Sequence, residues 1–173
     1  YDKARNDIRR WLNQDRAAYI TTMFDLYRLP FDFPNLARVR ALRHPYEKVR
    51  QCEIKLVNDI QNQRFIPYVQ LHEFEGLLFS DVEAIDEILR VHQAHESRLA
   101  LLRQIRSQFG TPEEINDSDS TAPSKRLLAL YPGYDKVLHG PLIAQRIGLT
   151  KIRGECPHFN EWLTTLESLA QDL

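Results

Sequence analysis

The sequence predicts an α/β fold in which a partial parallel sheet is flanked by helices and the C-terminal third is helical. Three observations carry this prediction. Residues 17–24, AAYITTMF, and residues 65–71, FIPYVQL, are short runs rich in β-branched and aromatic side chains, which is typical of buried strands. The stretch between them has helical spacing, and a helical crossover is the usual connection between parallel strands. Beyond residue 110 the recurring pattern is helical.

The helices are predicted from apolar spacing and from the prolines and glycines at their ends. DKARNDIRRWLNQD places Ala4, Ile8, Trp11 and Leu12 at helical spacing, which predicts an N-terminal helix capped by Asp2. The following loop, YRLPFDFPN, contains two prolines. Further helices are predicted at 36–42, 46–62, 81–91, 96–109, 124–130, 134–147 and 157–169, with Gly148 and Gly154 as joints. The polar segment 111–124 predicts a mobile loop that holds a short helical turn.

Within the second predicted strand, Pro67 lacks the N–H that a sheet ladder needs. Prolines in sheets are confined to edge strands, strand starts and bulges. We therefore expect Pro67 at an edge position or in a bulge.

Composition and charge limit the classes of protein that this chain can represent. Its 173 residues are 43% hydrophobic, which favours a single globular domain, with an α/β part over 1–109 and a mostly helical part over 110–173. The formal net charge is -1, so any contact with nucleic acid must come from a local patch. Two distant cysteines and the absence of a long apolar run predict a soluble, cytoplasmic chain without a membrane partner. The first methionine is Met23, which suggests that a natural segment precedes Tyr1.

Acidic side chains follow both predicted strands. Asp25 ends the first strand, and His72, Glu73 and Glu75 follow the second inside the apolar run FIPYVQLHEFEGLLFS. Ligands of open α/β sheets gather outside the carboxyl ends of the strands. If the strand continues through Phe74, Glu73 and Glu75 share a face and converge with Asp25 on a hard cation such as Mg²⁺. The alternative is structural: Glu73 caps a helix or pairs with an arginine, and Glu75 begins a helix.

A second candidate site lies in the segment APSKRLLALYPGYDK. Ser124, Lys125 and Arg126 stand at the predicted start of a helix, where free N–H groups and the helix dipole favour a phosphate. Lys136 adds a cation nearby in the sequence. These four residues predict phosphate contacts, and the alternative is that the cations are simply solvated.

Four segments together carry a resemblance to a known family. IPYVQLHEFEGLLFS, APSKRLLALYPGYDK, HGPLIAQRIGL and CPHFNEWL resemble the bacterial domain-of-unknown-function family 4276, with its HEFE-LLF signature, from about Ala4 to Leu169. The resemblance implies a Toprim-like fold, in which acidic residues hold a divalent metal and nucleic acid is cut. It also implies an ATPase partner of the overcoming-lysogenisation-defect type in phage-defence cassettes.

The sequence departs from the Toprim pattern in two places. Toprim enzymes have Asp-x-Asp where this chain has Asp25, Leu26 and Tyr27. They also carry a glutamate after a first strand that has no counterpart in this sequence, so the fold expected here lacks that N-terminal strand.

Two functions therefore stand as hypotheses. The first is a phosphodiesterase that uses Mg²⁺ or Mn²⁺, with Asp25, Glu73 and Glu75 on the metal and His72 orienting a water or a ligand carboxylate. In this hypothesis Lys125 and Arg126 neutralise the scissile phosphate of a nucleic acid. The second is a non-catalytic subunit whose acidic motif is structural and whose helical part docks on an ATPase or on a second copy of itself.

Overall fold

The structure, a computed structural model, describes residues 1–93, 96–116 and 121–169. The chain divides into two compact units, residues 1–71 and residues 72–173, and each unit is described by itself. Helices dominate both units and all the described strands lie in the first. The predicted mixed α/β class, with a partial parallel sheet flanked by helices, is confirmed.

The first unit combines three helices with four very short strands. Its elements are α1 (Asp2–Gln14), β1 (Ile20–Thr21), β2 (Phe24–Asp25), a 3₁₀ turn (Leu26–Arg28), α2 (Leu36–Arg40), α3 (Pro45–Ile60), β3 (Phe65–Ile66) and β4 (Val69–Gln70). β1 pairs with β3, and β2 pairs with β4, both in parallel. The parallel pairing expected from the helical crossover is confirmed.

Each predicted strand is interrupted at its centre but keeps one register. Ile20 lies opposite Phe65 before the interruption, and Phe24 lies opposite Val69 after it. At the interruption the hydroxyl of Thr22 donates to the carbonyl of Tyr68 at 3.3 Å and accepts its N–H at 3.2 Å. The Thr22 side chain thus replaces the ladder bonds that a continuous strand would make, and this explains why the strands are shorter than predicted.

Pro67 lies in the interruption between β3 and β4, on the outer side of the strand pair, in keeping with the predicted edge position. Two residues further on, the N–H of Val69 points away from β2 and donates to the Glu53 carboxylate on α3 at 2.9 Å. Because N–H directions alternate along a strand, the nitrogen of Pro67 faces the same outer side. A proline and a helix carboxylate therefore occupy an edge that would otherwise offer free donors.

The core of the first unit forms between its helices and strands. α1 contributes two buried side chains, Ile8 and Leu12, whereas Trp11 stays 46% exposed. The buried face of α3 carries Val49, Cys52, Leu56 and Ile60 at helical spacing. The predicted capping role of Asp2 is wrong, because Asp2 is the first helical residue.

The second unit is helical throughout its described part. Its elements are α4 (Glu75–Leu78), α5 (Val82–Gln93), α6 (Leu99–Arg106), a 3₁₀ turn (Pro112–Glu114), α7 (Pro123–Leu130), α8 (Lys136–Ile147), α9 (Leu149–Glu155) and α10 (Pro157–Leu169). α5 packs against α6 and α8, and α4 packs against α7, α8 and the 3₁₀ turn.

Three local predictions change in this unit. The strand does not continue to Phe74, because β4 ends at Gln70 and the chain bends into α4. α9 was not predicted, and Gly154 lies inside it rather than at a joint. The segment 111–124 does contain a short helical turn, while the part of its predicted mobility that falls on 117–120 lies outside the described residues. None of the helices in the described part of the chain is long and apolar enough to cross a lipid bilayer.

Candidate functional site

Asp25 occupies the strand-end position that the sequence predicts. It is the last residue of β2 and lies in register with Gln70, the last residue of β4. Asp25 is half-buried and lines a cavity of about 230 Å³ together with Met23 and Arg28. The carboxylate therefore stands at the carboxyl end of a parallel pair, where α/β proteins place their ligands.

The HEFE motif lies in the second unit, at the entry to α4. His72 and Glu73 follow the last strand in a bend, and Glu75 is the first residue of the helix. The Nδ1 atom of His72 lies 3.3 Å from the side-chain nitrogen of Asn116. Because the backbone is not extended here, the strand alternation that was to place Glu73 and Glu75 on one face does not apply.

Glu73 caps a distant helix. Its Oε2 atom accepts the N–H of Ser124 at 3.0 Å, and Ser124 is the second residue of α7. The first turn of a helix has N–H groups without intrahelical partners and carries the positive end of the dipole. The anion at the start of α7 is thus the carboxylate of Glu73 itself, in agreement with the capping alternative.

Glu75 is a fully buried carboxylate. The ammonium of Lys136 on α8 lies 2.9 Å from its Oε2 atom, and the hydroxyl of Tyr134 donates to its Oε1 atom at 3.4 Å. Burial and the Glu75 carboxylate together raise the pKa of Tyr134 far above its usual range, so this phenol is a permanent donor. The arrangement ties the start of α4 to the start of α8.

The residues predicted to bind phosphate have partners inside the protein. The backbone of Ser124 donates to Glu73, and Lys136 pairs with Glu75. Arg126 donates through Nε to the carbonyl of Thr121 at 2.6 Å, and its guanidinium lies 5.4 Å from the centroid of the Phe109 ring. Lys125 is exposed on α7. Their role in phosphate binding stays a prediction.

Two other buried carboxylates serve the same capping purpose. Glu113 accepts the N–H groups of His158 and Phe159, each at 3.0 Å, and so caps α10 with both of its oxygens. Asp86 accepts the N–H of Arg98, at the start of α6, at 2.7 Å. Neither carboxylate has a local signal in the sequence, because the capped residues follow Glu113 by about 45 positions and Asp86 by 12.

Both carboxylates of the motif already have partners inside the protein: Glu73 accepts one N–H group, and Glu75 meets an ammonium and a phenol. Asp25 belongs to the other unit. Within residues 1–93, 96–116 and 121–169, no three His, Cys, Asp or Glu side chains gather in a way that would hold a metal ion.

The net charge of the whole chain is near zero, but the two units carry net charges of opposite sign. Residues 1–71 contain 13 basic and 8 acidic side chains, whereas residues 72–173 contain 10 basic and 16 acidic ones. The first unit is therefore basic by five charges and the second acidic by six. This separation was missed in the sequence because the charge was taken over the whole chain.

Comparison with known proteins assigns a family. The model of one family, described as a domain of unknown function (DUF4276), matches residues 1–167. No curated protein and no solved structure matches the chain. Since the match covers almost the whole sequence, including the HEFE segment and the helices that its carboxylates hold, the chain belongs to the DUF4276 family.

Proposed function

We propose that this chain is a non-catalytic structural or protein-interaction subunit, whose HEFE motif holds the helices of the second unit together. The observation that carries the proposal is the fully buried carboxylate of Glu75, held between Lys136 and Tyr134. A catalytic carboxylate must reach its substrate or its metal, and this one is enclosed by protein partners. The partner that the family resemblance implies is an ATPase.

The same use of carboxylates elsewhere in the unit supports this proposal. Glu113 and Asp86 lie outside the motif, yet each accepts N–H groups at the start of a distant helix, as Glu73 does. Carboxylates in such positions stabilise helices through the dipole and through hydrogen bonds. Glu73 of the motif therefore plays the same structural role as these two carboxylates.

The experiment that tests the proposal compares Glu75→Gln with the unchanged chain, with and without Mg²⁺ or Mn²⁺. Removal of one member of a buried ion pair leaves the other without its counter-ion, so we expect Glu75→Gln to lower the melting temperature by a similar amount in both conditions. A carboxylate that awaits a metal behaves oppositely, because its removal relieves repulsion in the metal-free protein. In that case metal also raises the melting temperature of the unchanged chain. At a metal concentration 100 times the dissociation constant, binding stabilises the folded state by about 2.7 kcal/mol.

The matched control is Glu83→Gln, which removes an exposed carboxylate paired with Arg103 at 2.8 Å. Exposed pairs contribute little, so this variant should melt close to the unchanged chain. Stabilisation by Glu75→Gln without metal, together with its loss in Mg²⁺, would overturn the proposal. The interaction part is tested by co-purification with the ATPase: a stable complex without nucleic-acid cleavage is expected, and cleavage by the complex contradicts it.

One observation favours a second function, a Toprim-like nuclease centred on Asp25. Asp25 stands at the carboxyl end of a parallel strand pair and lines a cavity with Arg28. Asp25 would hold Mg²⁺ or Mn²⁺, which supplies charge stabilisation at a phosphodiester. Metal-dependent cleavage of DNA or RNA that disappears in Asp25→Asn would establish this function, whereas equal cleavage by the variant would exclude a role for Asp25.

A further inference from the structure

In one region of the first unit, the α2–α3 segment, several basic side chains form no internal ion pairs. Four of its cations, Arg38, Arg43, Lys48 and Lys55, make no ion pair with any residue of the described chain. By contrast, the α1 cations Arg5, Arg9 and Arg10 lie within 4 Å of aspartates.

Two of these cations face the same groove. Arg38 and Lys55 line a cavity of about 280 Å³ where α2 packs on α3, and Asn35 and Gln51 add polar side chains to it. Glu47 contributes a carboxylate to the same lining, so the groove retains one positive charge in excess. Such a groove attracts an anionic chain more than a single small anion, because Arg43 and Lys48 extend the charge along the same segment.

An exposed aromatic ring lies in the loop that leads into α2. Phe31 is 93% exposed, and the guanidinium of Arg40 lies 5.8 Å from the centroid of its ring. An aromatic ring beside cations is the usual platform on which single-stranded nucleic acids stack their bases. An acidic protein partner would use the cations but has no need of a ring in this position.

We propose that the basic surface formed by Phe31, Arg38, Arg40, Arg43, Lys48 and Lys55 binds single-stranded nucleic acid. The cations contact the phosphates and the ring of Phe31 stacks on a base. Arginine suits this role because its planar guanidinium forms paired hydrogen bonds with phosphate oxygens, and the first unit contains 10 arginines and 3 lysines. This inference goes beyond the proposed function, since a subunit without catalytic activity can bring a nucleic acid to its partner.

The test measures binding of labelled single-stranded DNA, single-stranded RNA and the matching duplex by fluorescence anisotropy over a range of salt. We compare the unchanged chain with Arg38→Gln/Lys55→Gln. The control, Arg10→Gln/Arg103→Gln, removes the same charge from two cations that already have carboxylate partners. We expect the first double variant to lose about tenfold in affinity, with a salt slope reduced by about 1.4 for two lost phosphate contacts. The control should change neither.

Phe31→Ala separates stacking from charge. We expect it to weaken binding of single strands by about tenfold and to leave the duplex nearly unchanged, because paired bases are not free to stack on the ring. The melting temperature of every variant is also measured to confirm that it folds. If the first double variant fails to fold, Arg43→Gln/Lys48→Gln replaces it.

Three results would overturn the inference. Equal losses in the control double variant would mean that net charge alone attracts the nucleic acid. Absence of binding at low salt would show that this surface does not bind nucleic acid. Binding of polyglutamate with the same salt slope, insensitive to Phe31→Ala, would assign the surface to an acidic protein. None of these results bears on Glu75, so this inference and the proposed function fail separately.

Discussion

The two units of this chain differ in net charge and in how often carboxylates lie at the starts of their helices. In the second unit, carboxylates lie at the starts of helices: Asp81 caps α5, Asp86 meets α6, Glu73 caps α7, Asp135 caps α8 and Glu113 caps α10. In the first unit only α1 is shown with such a carboxylate, because Asp32 accepts the N–H of Asp2 at 3.3 Å, whereas the residues that precede α2 and α3 make no side-chain cap. Its excess charge is positive and lies in part on the surface, as at Arg38 and Arg43.

This difference shows that a buried acidic motif is evidence of function only after its partners are known. Glu73 and Glu75 look like ligands in the sequence because charged residues in an apolar run need compensation. The compensation comes from the helices of the same unit. The cations without ion-pair partners described above, Arg38, Arg43, Lys48 and Lys55, lie in the first unit, where the sequence showed no motif.

The largest expected effect comes from Lys136→Met, which leaves the Glu75 carboxylate buried without its cation. Loss of one member of a buried pair typically destabilises a protein by about 3 to 5 kcal/mol. Because the Lys136 side chain is itself half exposed, we expect the lower end of that range, measured by urea denaturation. Arg103→Met is the matched control, since its partner Glu83 is exposed and the loss should stay below about 1 kcal/mol. Similar effects of the two substitutions would remove the distinction between buried and surface pairs in this unit.

A smaller effect is expected from the cap of α10. Glu113→Ala leaves the N–H groups of His158 and Phe159 without their carboxylate, which should cost about 1 to 3 kcal/mol. Glu113→Gln keeps one acceptor oxygen and should lose roughly half as much. Glu114→Ala is a close comparison, because the partner of Glu114 in the described part of the chain is the nearby N–H of Thr111. If Glu113→Ala is no more destabilising than Glu114→Ala in denaturant titrations, the distant cap does not contribute.

In the first unit, the corresponding weak point is a hydroxyl. Thr22→Val preserves shape but removes the oxygen that bonds the N–H and carbonyl of Tyr68 at the interruption of the strands. We expect a loss of about 1 to 2 kcal/mol, independent of pH because no ionisable group is involved. Thr21→Val, at an exposed position that bonds one carbonyl, should cost less. An effect of Thr22→Val that varies with pH would contradict this account.

The sequence predicted the parts of the fold that depend on local pattern. The parallel pair, the edge position of Pro67 and the helix 157–169 follow from side-chain spacing and from the chemistry of proline. The sequence did not reveal which donors Glu73, Glu113 and Asp86 meet, because their partners lie 51, 45 and 12 positions further along the chain. α9 was missed because Gly154 suggested a joint, although a glycine near a helix end costs only about 1 kcal/mol and is tolerated there.

The smallest expected effect is the acid sensitivity that Asp86 gives to the second unit. Burial alone would raise the pKa of Asp86, but bonds from the Tyr131 hydroxyl at 2.5 Å, the Arg98 N–H at 2.7 Å and the Ser97 hydroxyl at 2.9 Å lower it below its usual range. A carboxylate with a lowered pKa contributes stability that is fully present above its unfolded value, near pH 4. This contribution disappears as the pH falls through the lowered pKa.

Asp86→Asn should therefore be less stable than the unchanged chain at neutral pH, and the difference should shrink as the pH falls below about 4. Melting temperatures between neutral and strongly acidic pH measure this convergence. Asp81→Asn is the comparison: its pKa is also lowered, against the opposing effect of burial, by Lys151, but that partner is half exposed and screened by solvent, so its convergence should be weaker. A constant difference in melting temperature between Asp86→Asn and the unchanged chain across the acidic range would mean that Asp86 acts through shape alone. The evidence that buried carboxylates stabilise the second unit would then come from Glu75 and Glu113.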